Sequence, residues 1–319
     1  MYRQLSYTAA GEMPWKLLKH PNAVRDGHIT PIHIQFVPTN RCNQKCSWCS
    51  CSKVERSLEL DIGEIREILN EFSNLGTESM TITGGGEPTV HSNFGKILEH
   101  AISLNIKSGL VTNGMVIPRG KIPYDLLNQA LTWVRISVYE PEGSYDTCLI
   151  EKICALLPDV DIGISFTVTD SANMNTAIRV SQLAERTPNI THIRFVQDIL
   201  HANEEYLIKM MDMVRRNCKE ITDKALFQYR NIFTRGTPQC YISLLKPTIN
   251  ADGYVYPCCG VQYASDELRT MPKKFRMCRW NEFKYTSSFN GSICKKCYYD
   301  KYNEVLSYLV MDMAHKEFV

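Results

Sequence analysis

The stretch Thr39-Asn40-Arg41-Cys42-Asn43-Gln44-Lys45-Cys46-Ser47-Trp48-Cys49 follows an apolar run, Ile32–Val37, that reads as a β-strand. Outward from it, strand-like runs at Ser79–Thr83, Ile106–Val111, Trp133–Val138, Asp161–Val168 and His192–Gln197 alternate with helical patterns. In the first of these patterns Ile62, Ile65, Leu69 and Phe72 share one face, Asp61 and Glu64 are spaced as a capping box, and Gly76 is the stop. Further helices are predicted over about Asn93–Leu104, Ser144–Leu157 and Thr176–Thr187, with Pro158 and Pro188 ending the last two. Strand and helix in alternation are the signature of successive βα units and a parallel sheet. The predicted fold class is therefore α/β, a partial (β/α)6 TIM-like barrel. The quoted segment then sits at the C-terminal end of a barrel strand, where active sites of such folds are built.

The chain has 13 cysteines, and disulfides are disfavoured in the cytosol, so clustered cysteines point first to metal. One group is Cys42, Cys46, Cys49 and Cys51; the other is Cys240, Cys258, Cys259, Cys278, Cys294 and Cys297. Cys148, Cys154 and Cys218 stand alone in helix-like segments and are expected to be small buried hydrophobes. Three thiolates on one compact loop, Cys42, Cys46 and Cys49, can bind three irons of a four-iron cluster and leave the fourth open to another ligand.

The CxxxCxxC spacing, followed after the second strand by Gly84-Gly85-Gly86-Glu87-Pro88, resembles the radical S-adenosylmethionine (SAM) superfamily. The resemblance covers roughly residues 31–198 for the barrel. It implies that a [4Fe-4S] cluster on the three cysteines is chelated by the amino and carboxylate groups of SAM. It also implies an external low-potential electron donor, and reductive cleavage of SAM to methionine and a 5′-deoxyadenosyl radical that takes hydrogen from a substrate. In the family the backbone of the last two glycines and the acid binds the methionine amino group, here Gly85, Gly86 and Glu87. Trp48 stands where family members carry an aromatic residue beside the adenine. The strand ends at Asn113 and Ser137 correspond to ribose and carboxylate contacts, with a turn sequence and a strand-terminal serine as the plainer readings. Arg194 could pair the cofactor carboxylate or face solvent. Cys51 lies just outside the motif and is read as a bystander.

Cys240, the segment Gly253–Cys258, and Cys294-Lys295-Lys296-Cys297 resemble the auxiliary-cluster domain called Twitch, a shortened relative of SPASM. That resemblance implies a second [4Fe-4S] cluster with four ligands, Cys240, Cys258, Cys294 and Cys297, used in electron transfer. Cys259 and Cys278 are alternates, and four thiolates would also suit structural zinc. Full SPASM needs seven cysteines for two clusters, and no cysteine follows Cys297. Residues Tyr241–Pro257 are predicted as a hairpin around Asn250-Ala251-Asp252-Gly253. The expected organisation is an N-terminal extension over 1–30, the barrel over 31–235, and the cysteine-rich auxiliary domain with a C-terminal helix over 236–319.

The 36 Lys and Arg against 34 Asp and Glu leave a net charge of +2 that hides a basic segment, Ala264–Lys301, with nine bases and four acids. There Lys273, Lys274, Arg276, Arg279, Lys295 and Lys296 interleave with seven aromatic residues, a pattern that suits phosphates and bases. The plainer reading is an aromatic mini-core with a solvated rim. A small-molecule or nucleotide-like substrate is expected, with nucleic acid a further candidate partner, peptide modification the runner-up, and a non-enzymatic iron–sulfur sensor the alternative class. No run of eighteen apolar residues and no signal-peptide pattern is present, so the expected location is the cytoplasm, without a membrane.

Overall fold

The computed structural model describes residues 16–312 apart from 21, 139–146, 170–173, 199, 201–202 and 229–233. Its core is one sheet built on seven parallel strands: β1 (His33–Phe36), β2 (Ser79–Ile82), β3 (Lys107–Thr112), β4 (Leu131–Val138), β5 (Asp161–Val168), β6 (Ile190–Gln197) and β7 (Ala225–Gln228). Six of these answer to the predicted strands. The seventh, Ala-Leu-Phe-Gln, is too short to announce itself by period, and pairing with β6 makes it a strand. Helices α1 (Ile62–Asn74), α2 (Phe94–Ser103), α3 (Tyr124–Ala130), α4 (Cys148–Leu156), α5 (Met174–Arg186) and α6 (Glu204–Cys218) join the strands. The start of the predicted fourth helix at Ser144 lies outside the described residues.

Alternation along the strands separates two faces. Ile34, Phe36, Met80, Ile82, Leu110, Val134, Ile136, Ile162, Ile164, Ile193 and Phe195 are fully or almost fully buried with the helices in one apolar core. Each such side chain contributes roughly 1.5–3 kcal/mol on leaving water. The other, concave face carries His33, Gln35, Thr81, Arg135, Ser137, Ser165 and Arg194. Two glycines make room there: a Cβ on Gly109 would stand 2.0 Å from the Trp133 ring, and one on Gly163 would stand 2.4 Å from His192.

The C-terminal segment continues the same sheet. β8 (Thr248–Ile249) pairs parallel with β1, and β9 (Tyr254–Tyr256) and β10 (Cys278–Arg279) follow antiparallel, giving the order β10-β9-β8-β1-β2-β3-β4-β5-β6-β7. The hairpin turn falls at Asn250–Gly253, where Gly253 takes φ +73°. The predicted first arm is shorter than expected because Ile242–Leu245 form a helical turn, α7. Ile242 N–H donates to Asn303 Oδ1 at 2.9 Å and the Ser243 hydroxyl to Cys240 O at 2.6 Å, so the turn is held by side chains rather than by a ladder. Pro247 then forces Lys246 out of the helical region. Helix α8 (Asp300–Val310) packs Leu306 beside Ile242 and Leu245.

The predicted capping box is half formed. Asp61 Oδ1 accepts from Gly63 N and Glu64 N at 2.7 and 3.0 Å, while Glu64 accepts instead from Trp280 Nε1 at 3.0 Å and lies 3.6 Å from Arg279. A partner more than two hundred residues away thus outcompetes the local one. Phe72 and Phe283 meet at 5.2 Å in the same contact between α1 and the C-terminal segment. Cys154 and Cys218 are buried as expected; Cys148, at the first position of α4, is exposed, since the helix turns its apolar stripe through Ile150 and Ile153 instead. Among the described residues no helix is long and apolar enough to cross a membrane.

Candidate cofactor site at the barrel mouth

The loop after β1 is pinched at its base. Asn40 N–H donates to Leu58 O and Leu60 N–H to Pro38 O, at 2.9 and 3.0 Å, so the cysteine loop leaves and returns at the same strand end. Within it the Cys42 sulfur accepts from Gln44 N–H and the Cys49 sulfur from Cys51 N–H, both at 3.4 Å. Cys42 is exposed, and Cys46 and Cys49 are half-buried. Burial first, then the neighbouring Cys49 and Cys42 thiols, push the Cys46 thiol up to about 12; burial also raises Cys42. The Cys42 and Cys46 thiols therefore keep their protons at neutral pH, and an incoming metal must displace them.

Gly84–Gly86 follow β2 on the adjacent strand end. None of the three has a positive φ. The requirement is close approach: a Cβ would stand 2.0 Å from Arg41 O at Gly86 and 2.1 Å from Asn40 Oδ1 at Gly85. The glycine loop thus lies directly on the cysteine loop. Arg56 fastens the two, its Nη1 donating to Gly85 O at 2.7 Å and Asn40 O at 3.0 Å, and its Nη2 to Cys51 O at 3.0 Å. Sequence reasoning gave Arg56 no role, because nothing in its spacing announces a contact across 29 positions.

Glu87, 3% exposed, turns its carboxylate inward. Oε1 accepts from Thr89 N–H at 3.1 Å and from the Thr89 and Thr112 hydroxyls at 2.6 Å, and Oε2 accepts from Asn113 N–H at 2.7 Å. The side chain therefore fixes the end of β3, while the Glu87 backbone N–H donates to Arg41 O at 2.8 Å and ties the glycine loop to the cysteine loop. Asn113 Nδ2 reaches back to Asn43 Oδ1 at 2.7 Å, tying the third strand end to the cysteine loop. The pairings Ser137↔Ser165 and Ser165↔Arg194 set Ser137 and Arg194 in one row, and Arg194 Nη2 lies 3.5 Å from Ser165 Oγ. Asn113 directly follows Thr112, which pairs with Ile136, so it joins that row at its end. Trp48 is half-buried within the cysteine loop.

The second cysteine group converges as well. Cys240, Cys258, Cys294 and Cys297 line one cavity with Pro257, Tyr299 and Asn303. Backbone bridges Cys240–Phe289 and Thr234–Cys297 hold its walls, and Asn303 Nδ2 and Tyr299 N–H lie 3.8 and 3.3 Å from the Cys240 and Cys297 sulfurs. Burial pushes Cys240 up to about 11 and Cys294 to about 12. Cys278 lies instead on β10, packed against the main core, and Cys259 contacts Tyr299 OH at 3.5 Å. Among the described residues no group of three or more His, Cys, Asp or Glu is arranged to hold a single metal ion. The second set lines a cavity, and the first lies on one loop at the strand end. Cys51 is buried between them, its sulfur 2.9 Å from Gln262 Oε1.

The basic segment resolves toward the plainer reading. Phe275 and Phe283 are buried, and several of its cations face acids: Lys274–Glu267 at 3.0 Å, Arg276–Asp252 at 2.8 Å, Lys284–Glu71 at 3.3 Å, and Lys295–Asp266. Arg276 also stacks over Tyr254 at 4.1 Å.

Residues 36–146 match the family described as Radical SAM superfamily. That stretch contains Cys42, Cys46, Cys49 and the Gly84–Gly86 run. A match to this family implies SAM and a [4Fe-4S] cluster as cofactors, and the residues at the barrel mouth fit them: three thiols on one loop and a glycine cradle closed against it. A GTP 3′,8-cyclase of Synechocystis sp. is 38% identical over 85 residues, 25% of this chain and 26% of that one. A PqqA peptide cyclase of Rhodopseudomonas palustris is 25% identical over 130 residues, 40% of this chain and 34% of that one. The matches thus span about a quarter to a third of these curated relatives. Among solved structures, SuiB of Streptococcus suis bound to SAM aligns at TM-score 0.57 and 16% identity, over 80% of this chain and 65% of that one. Native anSMEcpe with bound SAM and a peptide aligns at 0.54 and 16%, over 90% and 85%. At that identity the likeness carries the fold.

Proposed function

We propose that the protein is a radical SAM enzyme that cleaves SAM at Cys42, Cys46 and Cys49 and oxidises or rearranges a small or nucleotide-like substrate. The observation that carries this is the lock between the cysteine and glycine loops through Arg56, at the C-terminal ends of adjacent parallel strands. Bound there, the cluster and SAM would supply one-electron cleavage of the sulfonium, and so a carbon radical able to take hydrogen from an unactivated carbon. The chain's own part is positioning. The backbone of Gly85, Gly86 and Glu87 would receive the methionine amino group, Trp48 the adenine, and Asn113, Ser137 and Arg194 the ribose and carboxylate. Cys240, Cys258, Cys294 and Cys297 would hold an auxiliary [4Fe-4S] cluster, a reading supported by the one cavity that all four line. An external low-potential donor, a cytoplasmic location and a domain boundary near 235 belong to the same reading.

The nucleotide-like substrate class is supported by the relatives named GTP 3′,8-cyclase and S-adenosylmethionine-dependent nucleotide dehydratase. Peptide modification is the second reading, favoured by the relative named PqqA peptide cyclase and by the structural likeness to SuiB bound to its precursor peptide. The deciding experiment is anaerobic reconstitution with iron, sulfide, dithionite and SAM, followed by assay for 5′-deoxyadenosine with deuterium-labelled nucleotides and peptides. Label passing into 5′-deoxyadenosine identifies the substrate class. A fully reconstituted protein that forms no 5′-deoxyadenosine with or without substrate would refute the reading.

A further inference from the structure

The concave face of the sheet holds more positive charge than the cofactor contacts need. Arg135 on β4 stacks over Trp133 at 5.2 Å, and its pairing with Gly163 opposite His192 leads on to Arg194. Lys246 joins them from the other side. It precedes β8, and Thr248 pairs with Gln35, so two residues back Lys246 stands level with His33. Arg135, Lys16, His33 and the thiols of Cys258 and Cys259 are its electrostatic neighbours. Among the described residues no hydrogen bond or ion pair to a carboxylate holds its ammonium; Asp161, at the N-terminal edge of β5, is the one acid among the described strand residues on this face. Desolvation pulls the Lys246 pKa down, and of its neighbours the Cys259 and Cys258 thiols oppose that shift while Arg135 and Lys16 add to it. Beside it, Thr248 Oγ1 and Gln35 Oε1 are buried with no hydrogen-bond partner.

A desolvated ammonium without a carboxylate partner, next to an arginine and an idle hydroxyl, is costly to keep in a fold. Such arrangements persist where a ligand completes them. The register also fixes where that ligand would lie. The first cysteine group follows the C-terminal end of β1, whereas Cys258, two residues beyond the Thr248↔Tyr256 pair, returns to the level of Lys246. The cations thus line the space between the two cysteine groups.

We infer that Lys246, with Arg135 and the Thr248 hydroxyl, binds an oxyanion of the substrate, a phosphate or a carboxylate, on the concave face between the two cysteine groups. The inference rests on the enzyme reading above for calling the bound molecule a substrate, while the anion site itself does not depend on it. Lys246 is then a specificity-determining residue: it admits anionic molecules and orients them by their charged end.

The test is calorimetric titration of the anaerobically reconstituted protein with pyrophosphate in one arm and succinate in the other. Saturable binding of at least one oxyanion is expected, weakening with salt, at least tenfold weaker in Lys246→Gln and largely restored in Lys246→Arg. The stronger arm tells phosphate from carboxylate. Should Lys246→Gln fail to retain its iron, Thr248→Val, close in shape, carries the test with an expected loss of about threefold. Absence of binding by both anions, or equal affinity in wild type and the variants, overturns the proposal. SAM cleavage measured on the same wild-type preparation separates the two readings: anion binding without cleavage sinks the enzyme reading and leaves this site standing.

Discussion

The two cysteine groups solve opposite problems. The first is a single loop of eight residues, Cys42 to Cys49, with one thiol exposed and the whole loop fastened by backbone bonds and Arg56. The second gathers thiols from four places across 57 positions, each seated by its own backbone bond, around a cavity walled by Tyr299 and Asn303. On the proposed reading, three ligands on an open loop would leave a coordination place free, and four around a walled cavity would leave none. The lesson is that openness follows from how locally a site is encoded. A loop can lie at a mouth, while ligands drawn from distant segments must be buried to be brought together.

The sharpest way to break this comparison is to remove one site and count. Replacing Cys42, Cys46 and Cys49 by alanine is expected to reduce 5′-deoxyadenosine formation under dithionite to background, with the fold retained by circular dichroism. Wild-type cleavage in that variant would mean the open loop is not the reactive site. Cys294→Ala with Cys297→Ala is the converse: of about eight irons per chain expected for two four-iron clusters, about half should go, with some SAM cleavage remaining. Product formation should suffer more than cleavage, and Cys278→Ser should lose no iron. Iron near four in wild type, with zinc bound in its place, would make the walled site structural.

A smaller effect sharpens the role of the fastening. Arg56→Gln keeps the loop's length but loses charge-assisted bonds to Gly85 O, Asn40 O and Cys51 O. SAM affinity, measured by titration, should fall about tenfold while both clusters persist. Gly85→Val should act alike by collision with Asn40 Oδ1, which a Cβ would meet at 2.1 Å. Unchanged affinity in both would show that the contact between the loops does not shape the SAM site.

What was legible in the sequence was what is local. The strands that alternate with helices, the CxxxCxxC spacing and the glycine run all lie within short windows, and the structure places them on adjacent strand ends. Asp61 was legible as a cap, but the partner of Glu64 was not, since Trp280 meets it only after the C-terminal segment folds back. Arg56 and Lys246 were illegible for the same reason: each acts through residues distant in sequence. Strand β7 was missed because pairing, not periodicity, makes it a strand. The basic, aromatic segment left two readings open, because composition reports charges without saying that acids such as Asp252 and Glu71 face them.

The parallel pairing of β8 with β1 has a consequence for how the protein is made. Strand β1 is synthesised more than two hundred residues before its second neighbour, Thr248–Ile249. Until then β1 has β2 on one side and an unpaired edge on the other, the kind of edge that invites pairing with another chain. Loop closure over that distance is slow, so the cysteine loop stands beside an open edge while the intervening residues are made. On the proposed reading, iron delivered before Ile249 docks would meet a half-built mouth. Cluster insertion would then wait for Thr248–Ile249 to cover β1.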